Sequence, residues 1–242
     1  MTIESSQHNT IPRKERLIVA LDVPSAEEAK KLVETLGDAV CFYKIGLELF
    51  TAGGYFEMLE WLVRRGKKVF VDLKFFDVPE TVRAAVRGLR NRGVTFATVH
   101  GNQAMLEAAG RDKGELKILA VTVLTSLDRG DLDDLGFDCD VERLVLSRAR
   151  RALRAGCDGV ISSGLEAAAL KRELGSRLLV VTPGIRPVEN RTVDDQKRTV
   201  DVAQAFANGA DYIVIGRPIR QAGDPRGAAE SIQKTIAGIF PD

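Results

Sequence analysis

The sequence predicts an α/β fold, a single (β/α)8 TIM barrel, and three observations predict it. From Leu17 onward, short β-branched runs alternate with longer segments of helical period, and the alternation repeats eight times. Eight such units within about 225 residues fit a barrel, whose usual length is about 250. The alternative, an open doubly wound sheet, uses fewer strands at this length and opens with a glycine-rich turn after its first strand. Here Asp22-Val23-Pro24-Ser25 stands in that place.

In chain order the strands are expected at residues 17–21, 41–45, 68–73, 94–99, 117–124, 159–162, 178–182 and 212–215. The helices between them carry start and stop signals. Ser25 with Glu28 three residues later has the form of a capping box, and Pro79-Glu80 suits a first helical turn. Gly37, Gly66, Gly93, Gly156, Gly175 and Gly209 follow helical runs as terminators. Residues 1–15 read as a polar tail and residues 16–242 as one barrel domain.

Composition narrows the function. The chain has 242 residues and 35 basic against 34 acidic side chains, a net charge of +1 with no long basic stripe, which argues against nucleic-acid binding. An anionic substrate must therefore be held by local groups. No apolar run approaches the roughly 18 to 20 residues of a membrane span. The first fifteen residues lack the apolar centre of a signal peptide. Cys41, Cys139 and Cys157 are odd in number and widely spaced, so they read as reduced core residues of a cytoplasmic protein. Two histidines and these cysteines offer no zinc spacing, and a metal would have to sit on Asp and Glu.

Barrel active sites lie where strands end and the following loops begin. The third strand runs into Asp72-Leu73-Lys74-Phe75-Phe76-Asp77, and Asp72 and Lys74, two apart, share a face that points into the barrel. Asp77 lies past the strand end and can bend over the mouth or reach a neighbouring subunit. In isolation an Asp-x-Lys pair is an ion pair beside a helix cap; at a strand end of a barrel it becomes a catalytic candidate. Lys44 is a cation in the apolar run Phe42-Tyr43-Lys44-Ile45, costly to bury unless paired with carboxylates. Asp22 follows the first strand, and alone it would pass for a turn residue before Pro24.

On the other side, Thr182-Pro183-Gly184-Ile185-Arg186 ends the seventh strand and Ile215-Gly216-Arg217-Pro218 the eighth, the usual phosphate-binding loops of this fold. Gly216 permits close backbone approach and Arg217 offers a charge-assisted fork, although an exposed turn with a surface arginine would look similar. Residues 187–197, with Asn190, Arg191 and Gln196, have the length and polarity of a lid or of a solvated loop. Thr125 and Ser126 after the fifth strand are candidate polar contacts, and the charged run 128–140 is expected as a solvated helical turn or loop. His100 ends the fourth strand as either a structural hydrogen bonder or a ligand contact and is left outside the catalytic set.

Asp72-Leu73-Lys74-Phe75-Phe76-Asp77 resembles the Asp-x-Lys-x-x-Asp signature of the orotidine 5′-phosphate decarboxylases. So do Ala20-Leu21-Asp22, Tyr43-Lys44-Ile45-Gly46, the run 121–126, Thr182-Pro183-Gly184-Ile185-Arg186 and Ile215-Gly216-Arg217-Pro218. Phe76 departs from the polar residue or histidine of many relatives, and Glu80 from a common asparagine. The resemblance implies conversion of orotidine 5′-monophosphate (OMP) to UMP and CO2 in pyrimidine synthesis, without cofactor or metal. It implies that Lys74 donates the proton to C6, with Asp72, Asp77 and Lys44 around it, and that Asp77 comes from the partner of a homodimer. It further implies that Asp22 and Lys44 contact the ribose and that Thr81 and Asp77 reach its other hydroxyl across the interface. Thr125 or Ser126 would meet the pyrimidine edge, and Arg186, Gln196, Gly216 and Arg217 the phosphate, with Gln196 also bridging to the base.

Two rival readings use the same residues. A magnesium-dependent sugar-phosphate aldolase or decarboxylase of a related barrel would need an acidic ligand where Lys44 stands. A noncatalytic barrel binding a phosphorylated metabolite would need the phosphate loops but not the Asp-Lys-Asp cluster.

Overall fold

The computed structural model describes residues 11–186 and 199–241, and in it eight parallel strands close into a barrel in sequence order. The strands are β1 Leu17–Ala20, β2 Phe42–Gly46, β3 Lys68–Phe75, β4 Val94–His100, β5 Lys117–Val121, β6 Gly159–Ile161, β7 Leu179–Thr182 and β8 Tyr212–Ile215. Around them run α1 Ala26–Leu36, α2 Leu47–Ala52, α3 Tyr55–Arg64, α4 Pro79–Leu89, α5 Gln103–Arg111 and α6 Arg129–Asp134. The ring continues with α7 Val141–Arg154, α8 Ala167–Leu174, α9 Val202–Ala207, α10 Arg217–Arg220 and α11 Pro225–Ile239. The expected (β/α)8 barrel is the fold, and none of its described helices is long and apolar enough to cross a membrane.

Strand parity divides the core in two. Ile18, Ala20, Phe42, Phe70, Phe96, Val181, Tyr212 and Val214 point inward and fill the barrel, while alternate residues such as Val19, Tyr43, Val71 and Ile213 pack outward against the helices. Phe96 lies at the centre of the inner layer, 5.2 Å from the ring of Phe42 and 5.1 Å from that of Tyr212. Each fully buried phenylalanine contributes on the order of 1.5–3 kcal/mol. The same parity sets the site, because two residues beyond Ala20, Phe42 and Phe70 come Asp22, Lys44 and Asp72.

Helix ends follow the local signals. Ser25 accepts the Glu28 N–H at the start of α1, Pro79 opens α4, and Gly37 and Gly156 leave α1 and α7 at φ 54° and 81°, where a side chain would be strained. The run 128–140 forms exposed α6, closed by a reciprocal Asp128–Asp131 capping box, with Asp140 capping α7.

Most strand ends fall within one residue of expectation; the larger departures are the ends of β3 and β5 and the segment before β1. β3 continues to Phe75 through a bulge. β5 stops at Val121, past which the Thr122 N–H and Oγ1 both donate to the Ile161 carbonyl of β6 and the Thr122 carbonyl accepts from Arg148 instead of a strand neighbour. Residues 11–15, within the expected tail, pack onto the barrel: Ile11 meets the inner core, Arg13–Glu15 form a 3-10 turn, and Glu15 pairs with Lys68. At the barrel's other strand starts, Asp158 accepts from the Ile118 N–H and Lys113, and Asp211 from the Val180 N–H and Lys171. In each case a carboxylate just before one strand ties in the start of its neighbour.

Candidate active site

The mouth of the barrel holds a linear array of alternating charges. Lys44 Nζ lies 2.9 Å from Asp22 Oδ1 and 3.4 Å from Asp72 Oδ2, and Lys74 Nζ lies 2.9 Å from Asp72 Oδ1. Ladder register aligns them, with Ala20 opposite Lys44 and Gly46 opposite Asp72. Gly46 leaves the room they need, since a Cβ there would lie 3.1 Å from Lys44 Nζ and 3.3 Å from Asp22 Oδ1.

Lys74 owes its position to the bulge. β3 advances from Val71 to Phe75 while β4 advances only from Ala97 to Val99, and Lys74 takes φ 49°. A non-glycine residue in that region costs on the order of 1–3 kcal/mol and marks functional sites. Its N–H, lost to the ladder, donates to Thr98 Oγ1 at 2.9 Å, and the same hydroxyl donates to Asp72 Oδ1 at 2.9 Å.

Burial raises the cost of charge here, and the pairing reverses it. Desolvation pushes the Asp72 carboxyl up, but Lys44, Lys74 and their hydrogen bonds with that of Thr98 hold it below its ordinary value. Desolvation likewise pulls the Lys44 ammonium down, while Asp72 and Asp22 outweigh it and raise it. Both groups are therefore charged at neutral pH. Losing Asp72 would leave Lys44, itself only 9% exposed, with a single counter-ion.

The array forms one wall of a cavity of about 270 Å³. Thr125 and Ser126, beyond β5, also line it, as do Arg186, Gly216, Arg217 and Arg220 from the ends of β7 and β8. Asp22, Lys44, Asp72, Lys74, Thr125, Ser126, Arg186, Gly216 and Arg217 thus all line one cavity. Gln196 lies outside the described residues, as do Asn190 and Arg191.

Asp77 and Thr81 are placed apart from this cavity. Asp77 is exposed and its Oδ1 accepts its neighbour Val78's N–H at 2.6 Å, while Thr81 is exposed on α4. His100 faces a second cavity, of about 390 Å³, with Phe76 and Arg148; burial first, then Arg148 and Lys74, lower its affinity for a proton.

Three residues escaped sequence reasoning. Thr98 shares the inward parity of Phe96, a signal that was legible but chemically unremarkable. Gly46 lay within a quoted motif without a reason. Arg220 falls three residues after Arg217, and its Nε is buried with no hydrogen-bond partner among the described residues.

Comparison with known proteins gives a consistent result. A relative from Methylococcus capsulatus named orotidine 5′-phosphate decarboxylase is 67% identical over 230 residues, 95% of each chain. One of the same name from Stenotrophomonas maltophilia is 53% identical over 93% of this chain and 94% of its own. The crystal structure of orotidine 5′-phosphate decarboxylase from Lactobacillus acidophilus superposes with a TM-score of 0.81 at 36% identity, covering 92% of this chain and 99% of that one. A family model described as "Orotidine 5'-phosphate decarboxylase / HUMPS family" matches residues 15–232, nearly the whole described barrel, and the chain belongs to that family.

Proposed function

We propose that this protein decarboxylates OMP to UMP and CO2 with its own side chains, using neither metal nor organic cofactor. The observation that carries the reading is the Asp22–Lys44–Asp72–Lys74 array sharing one cavity with Arg186, Arg217 and Arg220. Residues 16–242 are read as its catalytic domain, in a cytoplasmic protein whose three cysteines are free thiols; of these only Cys157 is a core residue as expected, Cys41 and Cys139 being half-buried.

Cleavage of the C6–carboxylate bond leaves an electron pair on C6 with no adjacent carbonyl placed to absorb it. The Lys74 ammonium, oriented by Asp72, supplies opposite charge where that pair develops and then donates a proton from Nζ to C6. Solvent returns the proton to the resulting amine. Asp72 faces the departing carboxylate, and their repulsion vanishes as neutral CO2 forms. Asp22 and Lys44 hold the ribose, and Thr125 or Ser126 the pyrimidine edge. Arg186, Gln196, Gly216 and Arg217 take the phosphate, joined by Arg220. Binding energy from the phosphate, remote from C6, fixes the reacting end.

The functional unit is a homodimer in which Asp77 and Thr81 serve the partner's site. Supporting this are the outward placement of both residues and the apolar rim of the mouth, where Leu47, Phe76, Val78, Leu135 and Leu165 are all more than half exposed.

The magnesium-dependent sugar-phosphate reading is disfavoured by the ammonium of Lys44, which occupies the ground between Asp22 and Asp72. Among the described residues no three His, Cys, Asp or Glu side chains group as metal ligands. Purified protein in excess EDTA is expected to convert OMP to UMP, followed by loss of OMP absorbance. No conversion of OMP, with magnesium-dependent turnover of a sugar phosphate instead, would overturn the assignment.

A further inference from the structure

We infer that Thr98 is a positioning residue for the reaction, a single buried hydroxyl that holds Lys74 in its bulged conformation and aims the Asp72 carboxylate. The inference rests on the decarboxylase reading for its kinetic consequence but on geometry for its substance. Thr98 is fully buried and contributes nothing to the cavity surface, so it acts only through its neighbours.

The bulge creates a problem that Thr98 solves. Lys74 at φ 49° turns its N–H out of the β3–β4 ladder, and a buried N–H without a partner is costly. Thr98 Oγ1 accepts that N–H at 2.9 Å. The hydroxyl's one proton is then committed to Asp72 Oδ1, also at 2.9 Å. Asp72 Oδ1 is the oxygen that receives Lys74 Nζ, so one hydroxyl fixes both the backbone and the counter-ion of the same lysine.

The groups around Asp72 are Lys44 from β2, Lys74 from β3, Thr98 from β4 and, beyond Lys44, Asp22 after β1; Tyr55 of α3 also senses its charge. Of these only Thr98 is an uncharged donor to the carboxylate. Its removal withdraws one of the interactions favouring ionised Asp72, so the acid limb of activity moves to higher pH. A residue that merely fills space would leave that limb in place.

Two substitutions separate the hydroxyl from the packing. Thr98→Val keeps the volume and removes the hydroxyl; Thr98→Ser keeps the hydroxyl and removes a methyl group. Thr98→Val is expected to lower kcat on OMP about 10- to 100-fold with less than about 3-fold change in KM, and to shift the acid limb upward. Thr98→Ser is expected to stay within about 3-fold of wild-type kcat. Independently of activity, hydrogen exchange at the Lys74 amide should accelerate at least about 10-fold in Thr98→Val and not in Thr98→Ser, with the Phe70 and Ala97 amides still protected. Thr98→Ala provides the same comparisons if the valine variant does not fold. Wild-type kcat, acid limb and Lys74 exchange in the hydroxyl-free variant would overturn the inference. Failure of wild type to convert OMP would overturn the decarboxylase reading instead, and the exchange comparison would still decide the role of Thr98.

Discussion

At the scale of single residues, the site is built from charges whose neighbours leave them little freedom. Lys44 and Asp72 are buried enough that each depends on the other, and Gly46 supplies the space in which they meet. Arg220 is the converse case, a guanidinium in the cavity wall whose buried Nε has no partner among the described residues. An orphaned cationic donor beside Gly216 and Arg217 is chemically suited to a phosphate oxygen. Arg220→Ala is therefore expected to raise KM for OMP about 10-fold, the equivalent of about 1.4 kcal/mol, and to weaken inhibition by inorganic phosphate to a similar degree. Steady-state kinetics check this, and unchanged KM and phosphate inhibition would remove Arg220 from the phosphate site.

At the scale of elements, the end of β4 links the catalytic array to its surroundings. His100 has its proton affinity lowered by burial, then by Arg148 and Lys74, so between its lowered folded value and about 6.5 the unfolded chain binds more protons than the folded one. Stability should fall as pH drops below that ordinary value and level off once the folded histidine is protonated. Thermal melts at about pH 7.5 and about pH 5.5 should show a smaller difference for His100→Gln than for wild type. An equal difference in both proteins would contradict the assignment.

Elements also show what was legible in the sequence. Eight strands and the inward parity of Asp22, Lys44 and Asp72 could be read from alternation alone, because a two-residue period fixes which side chains share a face. The bulge in β3 and the early end of β5 could not, since both depend on partners distant in sequence, Thr98 for Lys74 and Ile161 and Arg148 for Thr122. Thr98 and Arg220 were missed for the same reason: their significance lies in which atoms they meet or fail to meet, and no spacing rule encodes that.

For the whole molecule, the geometry of one chain leaves its signature motif divided. Asp72 and Lys74 line the cavity while Asp77, three residues beyond Lys74, lies exposed outside it between the exposed side chains of Phe76 and Val78. A C2 dimer placing Asp77 over its partner's mouth would unite the motif and cover that rim. Co-expressing Lys74→Ala and Asp77→Ala chains tests this, because a mixed dimer then contains one site with both native residues. Random pairing in equal amounts should restore about a quarter of wild-type activity, whereas chains that use their own Asp77 would restore none.

The role proposed for Lys74 at C6 is tested by OMP turnover in excess EDTA by wild type and Lys74→Ala side by side, with UMP affinity measured for each. Wild type is expected to convert OMP rapidly and a folded Lys74→Ala protein to show no detectable conversion while retaining UMP binding through the remaining phosphate and ribose contacts. Turnover by Lys74→Ala within about 10-fold of wild type would contradict that role, since a general acid alone contributes about 10²- to 10⁴-fold.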